Sequence, residues 1–154
     1  MLVATSMRQA QLLKTATVRV LDLSRSPDVI CMNMMCDKLE GPCVCRVARF
    51  LEQNQWDALE EIRLVGNRLD QVPPSIFMRG LKRLDLSDNS IKELPLDISR
   101  CESLETLDMS KNRLVKVAWN ALLNLPNLKT IDFRENKSLT IPDNVDLSGK
   151  NVLL

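Results

Sequence analysis

Four segments of this chain repeat one arrangement of apolar residues and asparagine in phase, and few folds accept such a pattern. They read L-E-E-I-R-L-V-G-N from Leu59 to Asn67, L-K-R-L-D-L-S-D-N from Leu81 to Asn89, L-E-T-L-D-M-S-K-N from Leu104 to Asn112, and L-K-T-I-D-F-R-E-N from Leu128 to Asn136. Their starts are 22, 23 and 24 residues apart. A degenerate copy, V-R-V-L-D-L-S-R-S, runs from Val18 to Ser26, with Ser26 in the asparagine position. Within each copy the fourth and sixth residues point the same way on a strand, because side chains alternate. Ile62 and Leu64, Leu84 and Leu86, Leu107 and Met109, and Ile131 and Phe133 are therefore expected to face a core. One unit cannot bury that face alone, whereas stacked units can. Asn67, Asn89, Asn112 and Asn136 fall where the chain turns off the strand. Their amides can pair turn backbone groups that would otherwise be buried unsatisfied.

This pattern resembles the leucine-rich repeat family, over residues 59 to about 142. The resemblance implies an α/β fold. The expected form is a short solenoid with a curved parallel sheet of about five or six strands on its concave side and helical, 3₁₀ and extended segments on its convex side. The second halves of the repeats contain Pro and predict extended or 3₁₀ turns. V-A-W-N-A-L-L-N-L, in the third, predicts a short helix. Trp56, Met78, Cys101 and Leu125 each precede a repeat by three residues and are expected to form one buried column. After Asn136 the next Leu arrives one residue late, which marks the end of the solenoid. Residues 143–154 would then act as a C-terminal cap, with V-D-L or N-V-L-L as an edge strand. Residues 27–58 are an irregular long repeat. They combine a loop of about 15 residues with a helix on which Val44, Val47, Ala48 and Leu51 share a face, similar to the longer repeats of the ribonuclease-inhibitor subfamily. The organisation expected is thus an N-terminal element over 1–16 and a repeat domain over 17–154, regular between 59 and 142.

Composition excludes most chemistry. The chain has no His, which removes histidine bases, histidine zinc ligands and the Ser-His-Asp triad. It has no Tyr and 3% aromatics, so base-stacking platforms are not expected. Lys+Arg number 21 against 20 Asp+Glu, a net charge of +1, which argues against a strongly basic nucleic-acid binder. Four glycines leave little for a phosphate-binding loop. No run of 18 apolar residues exists, so no membrane-spanning helix is expected. The reading is non-enzymatic, with no cofactor and no small-molecule substrate.

Two groups of residues merit weighing as sites. Cys31, Cys36, Cys43 and Cys45 have the spacing C-x4-C-x6-C-x-C. Zinc knuckles normally place two or four residues between paired cysteines; Cys31/Cys36, with four, could form one, whereas Cys43/Cys45, with one, is too tight for an ordinary second. Plain reduced thiols are the first reading; a disulfide or a metal site are the alternatives, and Cys101 reads as core. The second group is the concave face, where the central row is Asp22, Arg63, Asp85, Asp108 and Asp132. Ser24, Val65, Ser87, Ser110 and Arg134 lie on one side of it, and Val20, Glu61, Arg83, Thr106 and Thr130 on the other. Strands about 4.8 Å apart would stack Asp85, Asp108 and Asp132 as like charges. Arg83, Arg134 or a basic partner can offset that repulsion. The partner-binding candidates are Arg63, Arg83, Asp85, Ser87, Asp108, Ser110, Asp132 and Arg134. The common L-D-L-S-x-N wording of the repeat is the competing explanation. Arg19, Glu60, Lys82, Glu105 and Lys129 alternate in sign one position earlier and read as a register-fixing ladder.

The N-terminal 21 residues hold Arg8, Lys14 and Arg19, three Thr, one Ser and no acid. On a helix Leu2, Val3, Ser6, Met7, Ala10 and Leu13 share a face. Two readings fit: a capping helix over the first repeat, or a mitochondrial address. No secretory signal is recognisable, and the L-P-x-x-I wording at Leu94, Pro95 and Ile98 resembles intracellular scaffolds of the family. The resemblance implies a protein-protein interaction module. A chain of this length leaves no second domain for signalling, so the expected role is a structural or accessory subunit of a larger intracellular complex, with the mitochondrion as the candidate compartment. The alternative is a free-standing regulatory adaptor for a GTPase, kinase or phosphatase, and a cysteine-based metal or redox element is the third reading.

Overall fold

The L-x-x-L-x-L segments supply three residues each to a strand, and the strands stack in register because every unit offers the same apolar pair to the interior. The structure is a computed structural model and describes residues 1–31, 36 and 43–154. The elements in chain order are β1 Val3–Ala4, α1 Met7–Leu12, β2 Val20–Asp22, α2 Cys45–Gln53, β3 Glu61–Arg63, β4 Arg83–Asp85, β5 Glu93–Leu94, β6 Thr106–Asp108, β7 Lys116–Val117, α3 Trp119–Leu123, β8 Thr130–Asp132 and β9 Asn151–Leu153. Short 3₁₀ turns lie at Thr15–Thr17, Pro74–Ile76 and Leu96–Arg100. The main sheet has the order β1-β2-β3-β4-β6-β8-β9 and is parallel throughout, while β5 and β7 form a second, two-stranded parallel sheet on the convex side. This is a short leucine-rich repeat solenoid of mixed α/β class.

The main sheet has seven strands where the repeats alone account for five, because each end recruits one more. Val3 pairs with Val20, and Asn151 with Thr130. The N-terminal segment was expected to be helical from Leu2 onward, and here the structure differs. Arg19 and Val20 N–H both donate to Leu2 O, at 2.9 and 3.2 Å, so the open edge of β2 draws the first residues into extended pairing. Ser6, placed by helical spacing on the apolar face, is instead the N-cap: its Oγ accepts Gln9 N–H at 3.0 Å, and α1 starts after it. Only Met7 and Ala10 of that helix are buried.

Ile62, Leu64, Leu84, Leu86, Leu107, Met109, Ile131 and Phe133 are all buried. The column expected beneath them is only half formed. Cys101 and Leu125 are buried, whereas Trp56 and Met78 are half-buried. Trp56 sits at the foot of α2, with its indole N–H donating to Leu51 O at 3.0 Å and its ring edge-on to Phe50 at 5.4 Å. That polar anchor holds it at the rim of the core rather than within it. Helix α2 has nine residues, Cys45–Gln53, and buries Val47, Phe50 and Leu51, with Ala48 half-buried beside them. The loop expected ahead of it falls mostly at 32–35 and 37–42, outside the described residues.

The asparagines form a continuous ladder. Asn89 Oδ1 accepts Asn67 and Leu69 N–H, both at 3.0 Å, and its amide donates to Leu64, Leu86 and Ser87 O. Asn112 and Asn136 repeat the arrangement one and two units on, accepting Ile91 and Leu114 N–H at 3.0 Å. Asn67 accepts Ser26 N–H at 3.1 Å and donates to Leu23 O at 2.9 Å. Each side chain thus cross-links its own turn to the preceding one. The residue before each of these positions (Arg25, Gly66, Asp88, Lys111 and Glu135) has φ between 48 and 67°. The turn therefore requires the left-handed region at one fixed place, and only Gly66 meets it without a steric cost.

Candidate functional site

The exposed face of the main sheet collects the charged residues of every repeat. In register, Asp22 lies beside Arg63, Arg63 beside Asp85, Asp85 beside Asp108 and Asp108 beside Asp132. The face is not uniform along its length, and its two ends are internally neutralised. At the N-terminal end Glu61 is 7% exposed and bridges two guanidinium groups, Arg63 Nε at 2.6 Å and Arg83 Nε at 3.1 Å. Arg63 also reaches Asp22 at 3.6 Å. The Glu61 hydrogen bond raises the Arg63 guanidinium above its ordinary value. At the C-terminal end Arg134 closes on Asp132 at 2.6 Å, and this ion pair holds the Asp132 carboxyl below the usual aspartate range.

The centre is different. Asp85 and Asp108 sit on adjacent strands and, among the described residues, neither has a basic group within ion-pair distance. Each carboxylate turns one oxygen along its own strand. Asp85 Oδ1 accepts Ser87 N–H at 3.0 Å and Ser87 Oγ–H at 2.7 Å; Asp108 Oδ1 accepts Ser110 N–H at 2.9 Å and Ser110 Oγ–H at 2.7 Å. The serines thus hold one oxygen of each carboxylate in place. The two acids are half-buried, so their repulsion is less screened than at a free surface. Arg63, Arg83, Asp85, Ser87, Asp108, Ser110, Asp132 and Arg134 therefore share one face, divided into a neutralised rim and an acidic middle. Glu61 was not among the sequence candidates, although it closes the rim. Its signal was present as arginines two residues on and one strand over.

Outside this face, the alternating row is a partial ladder. Glu60 joins Arg19 at 2.7 Å and Lys82 at 3.0 Å, and Glu105 joins Lys129 at 3.4 Å. These exposed pairs set register more than stability.

The thiols at the start of α2 form the second cluster. The Sγ atoms of Cys31, Cys36, Cys43 and Cys45 all lie within 4.8 Å of one another. All four are half-buried. Cys43 and Cys45 are one residue apart in sequence, yet their sulfurs meet because Cys43 precedes the helix and Cys45 is its first residue. Hydrogen bonding to the neighbouring thiols, Cys43 first and then Cys31, pushes the Cys45 thiol up to about 12. Cys101 lies apart in the core, and burial alone pushes its thiol up to about 12.

Residues 57–114 match a family model described as leucine rich repeat. Among curated proteins the chain is 35% identical over 89 residues to the leucine-rich repeat serine/threonine-protein kinase 1 of Caenorhabditis elegans, covering 56% of this chain and 4% of that protein. It is 36% identical over 99 residues to the plant intracellular Ras-group-related LRR protein 8 of Oryza sativa subsp. japonica, covering 62% of this chain and 26% of that protein. It is 35% identical over 82 residues to Toll-like receptor 2 of Ovis aries, covering 49% and 10%. The chain therefore spans about a quarter or less of each. No helix among the described residues is long and apolar enough to cross a membrane. Proteins built on this repeat generally act as non-enzymatic protein-protein interaction modules, even where, as in a kinase, other domains accompany it. The in-phase repeats, the parallel sheet, the asparagine ladder and the match over residues 57–114 together identify the repeats of this chain as leucine-rich repeats.

Proposed function

We propose that the concave sheet docks a basic segment of a partner protein and that the chain serves as an accessory, non-catalytic subunit of a larger intracellular complex. The observation that carries the reading is the Asp85–Asp108 pair. Two carboxylates side by side on strands about 5 Å apart repel one another. Among the described residues, the acids flanking them on the face, Asp22, Glu61 and Asp132, are each paired with an arginine of the chain, and these two are not. A lysine or arginine from a partner would supply the missing charge and be received by oxygens already held in place by Ser87 and Ser110. The parallel pairing of β1 on β2 supports the N-terminal segment as a cap, since its loss would open the β2 edge.

The test is Asp85→Arg with Asp108→Arg, followed by native electrophoresis of gently solubilised mitochondrial and cytosolic fractions. Wild type is expected to migrate with a large particle whose retention falls as salt rises. The variant should run near its 17.5 kDa monomer mass while keeping its melting temperature. Co-migration unaffected by the charge reversal would refute docking on this face. Wild type running as a free monomer would refute the subunit reading and leave the adaptor in its place. The fraction that holds the particle also decides whether the mitochondrial address has any part in it.

A further inference from the structure

The four thiols ahead of α2 are placed as a ligand set. A tetrahedral zinc-thiolate centre with Zn–S near 2.3 Å puts its sulfurs roughly 3.8 Å apart. Cys36 Sγ lies 3.7 Å from Cys45 Sγ and 3.0 Å from Cys43 Sγ, and all six separations are within 4.8 Å. Adjustments of an ångström or less would bring all four onto one ion. Apolar packing does not account for the cluster, since each of the four thiols is half-buried and the core is filled by Val44, Val47, Phe50 and Leu51 next to them.

The backbone around the cluster is arranged to hold thiolates. Cys31 N–H donates to Cys43 O at 3.1 Å, which ties the two flanks together before any ligand binds. Cys45 N–H donates to Cys43 Sγ at 3.4 Å, a bond that strengthens when the sulfur is ionised. Helix α2 opens at Cys45 with no side-chain cap and no acid in its first turn. The partial positive charge of that helix end is thus met by sulfur rather than by a carboxylate. The tight Cys43-Val44-Cys45 spacing, which counted against a metal when judged as a knuckle, is accommodated because the chain passes from loop to helix between the two sulfurs.

We propose that Cys31, Cys36, Cys43 and Cys45 bind one zinc ion as a structural clamp. Binding converts four thiols and Zn²⁺ into a tetrathiolate complex of charge −2 and releases four protons to solvent. With four protein ligands the ion keeps no open position, so the site is closed to catalysis. Its effect is to fasten the chain that follows β2 to the first turn of α2.

The experiment uses the full chain, fully reduced and stripped of metal with a chelator. Cobalt is titrated in as the probe, followed by zinc. The expected result is about one equivalent of cobalt per chain with the absorption of a tetrahedral cobalt-thiolate centre, displaced by about one equivalent of zinc. Zinc should also raise the melting temperature of the stripped protein. Cys36→Ser with Cys43→Ser should abolish the cobalt spectrum and the zinc-dependent shift, while Cys101→Ser retains both. Should the double variant not fold, the wild-type stoichiometry and spectrum decide. A reduced protein that shows no cobalt-thiolate band, or a band that survives the double substitution, overturns the proposal. So does recovery of these four cysteines as disulfides in acid-trapped, alkylated protein from cells.

Discussion

Removing asparagine from the ladder should cost most at Asn89, and the structure says by how much. Its Oδ1 is the acceptor for two buried N–H groups, those of Asn67 and Leu69, whereas Asn112 and Asn136 each serve one, Ile91 and Leu114 N–H. Alanine at any of these positions leaves those donors buried without a partner, at about 1–3 kcal/mol each. The carbonyls are better protected: Leu86 O also accepts from Asn112, and Met109 O from both Asn112 and Asn136. Leu64 O is paired by Asn89 Nδ2 and Phe133 O by Asn136 Nδ2, and each adds to the loss at its own position. Counting the stranded groups, Asn89→Ala is therefore expected to destabilise by about 3–9 kcal/mol, Asn136→Ala by about 2–6 kcal/mol and Asn112→Ala by about 1–3 kcal/mol. Against total stabilities of about 5–15 kcal/mol the first change brings the domain close to unfolding, and Asn112→Ala does not. Urea unfolding, followed by tryptophan fluorescence at Trp56 and Trp119 and by far-ultraviolet circular dichroism, measures the difference. Equal losses at Asn89 and Asn112, or losses below about 1 kcal/mol at all three, would refute the counting of stranded groups.

Three further outcomes follow from other parts of the molecule. Cys101, whose thiol burial raises to about 12, should not react with a disulfide reagent at neutral pH until urea unfolds the chain, and a rate matching an exposed thiol would contradict its place in the core. Asp132 has a folded-state pKa lowered by Arg134, so its contribution is present above the ordinary aspartate range and is lost as pH falls through the lowered value. Asp132→Asn should accordingly flatten the acid side of the stability–pH curve while changing its neutral plateau in the opposite, unfavourable direction; an unaltered acid limb would count against the pair. Truncation after residue 142 removes β9 and frees Phe133 N–H, now bonded to Leu153 O at 2.8 Å, so the shortened chain should self-associate through the β8 edge, as sedimentation would detect.

The parts of this molecule that could be read from sequence are those whose energetics repeat. A strand that stacks on a copy of itself sees the same neighbour each time, so Leu84 and Leu107 face inward for the same reason and Asn89 and Asn112 bond the same carbonyl from two sides. Where the template stops, local pattern stops deciding. Val3 fits a helical stripe, yet it forms a strand with Ala4 because the unpaired edge of β2 lies beside them, and no window of neighbouring residues contains that fact. Glu61 looks like any exposed strand residue, but two guanidinium groups, one from its own strand and one from the next, cover it. The four thiols lie in the same category. Cys31/Cys36 has the spacing of one knuckle but Cys43/Cys45 fits none, and the four converge because the loop's flanks are pinned and a helix begins between the last two. The departures from the repeat therefore fall in two kinds of place: the ends, which the solenoid must close, and the insertion, which it does not template. A repeat unit is interchangeable by construction and carries little that is particular to one protein. What distinguishes this chain from its relatives should accordingly be sought where the period fails, in the Cys31–Cys45 interval, and where the repeat is kept but its charges are left uncompensated, at Asp85 and Asp108.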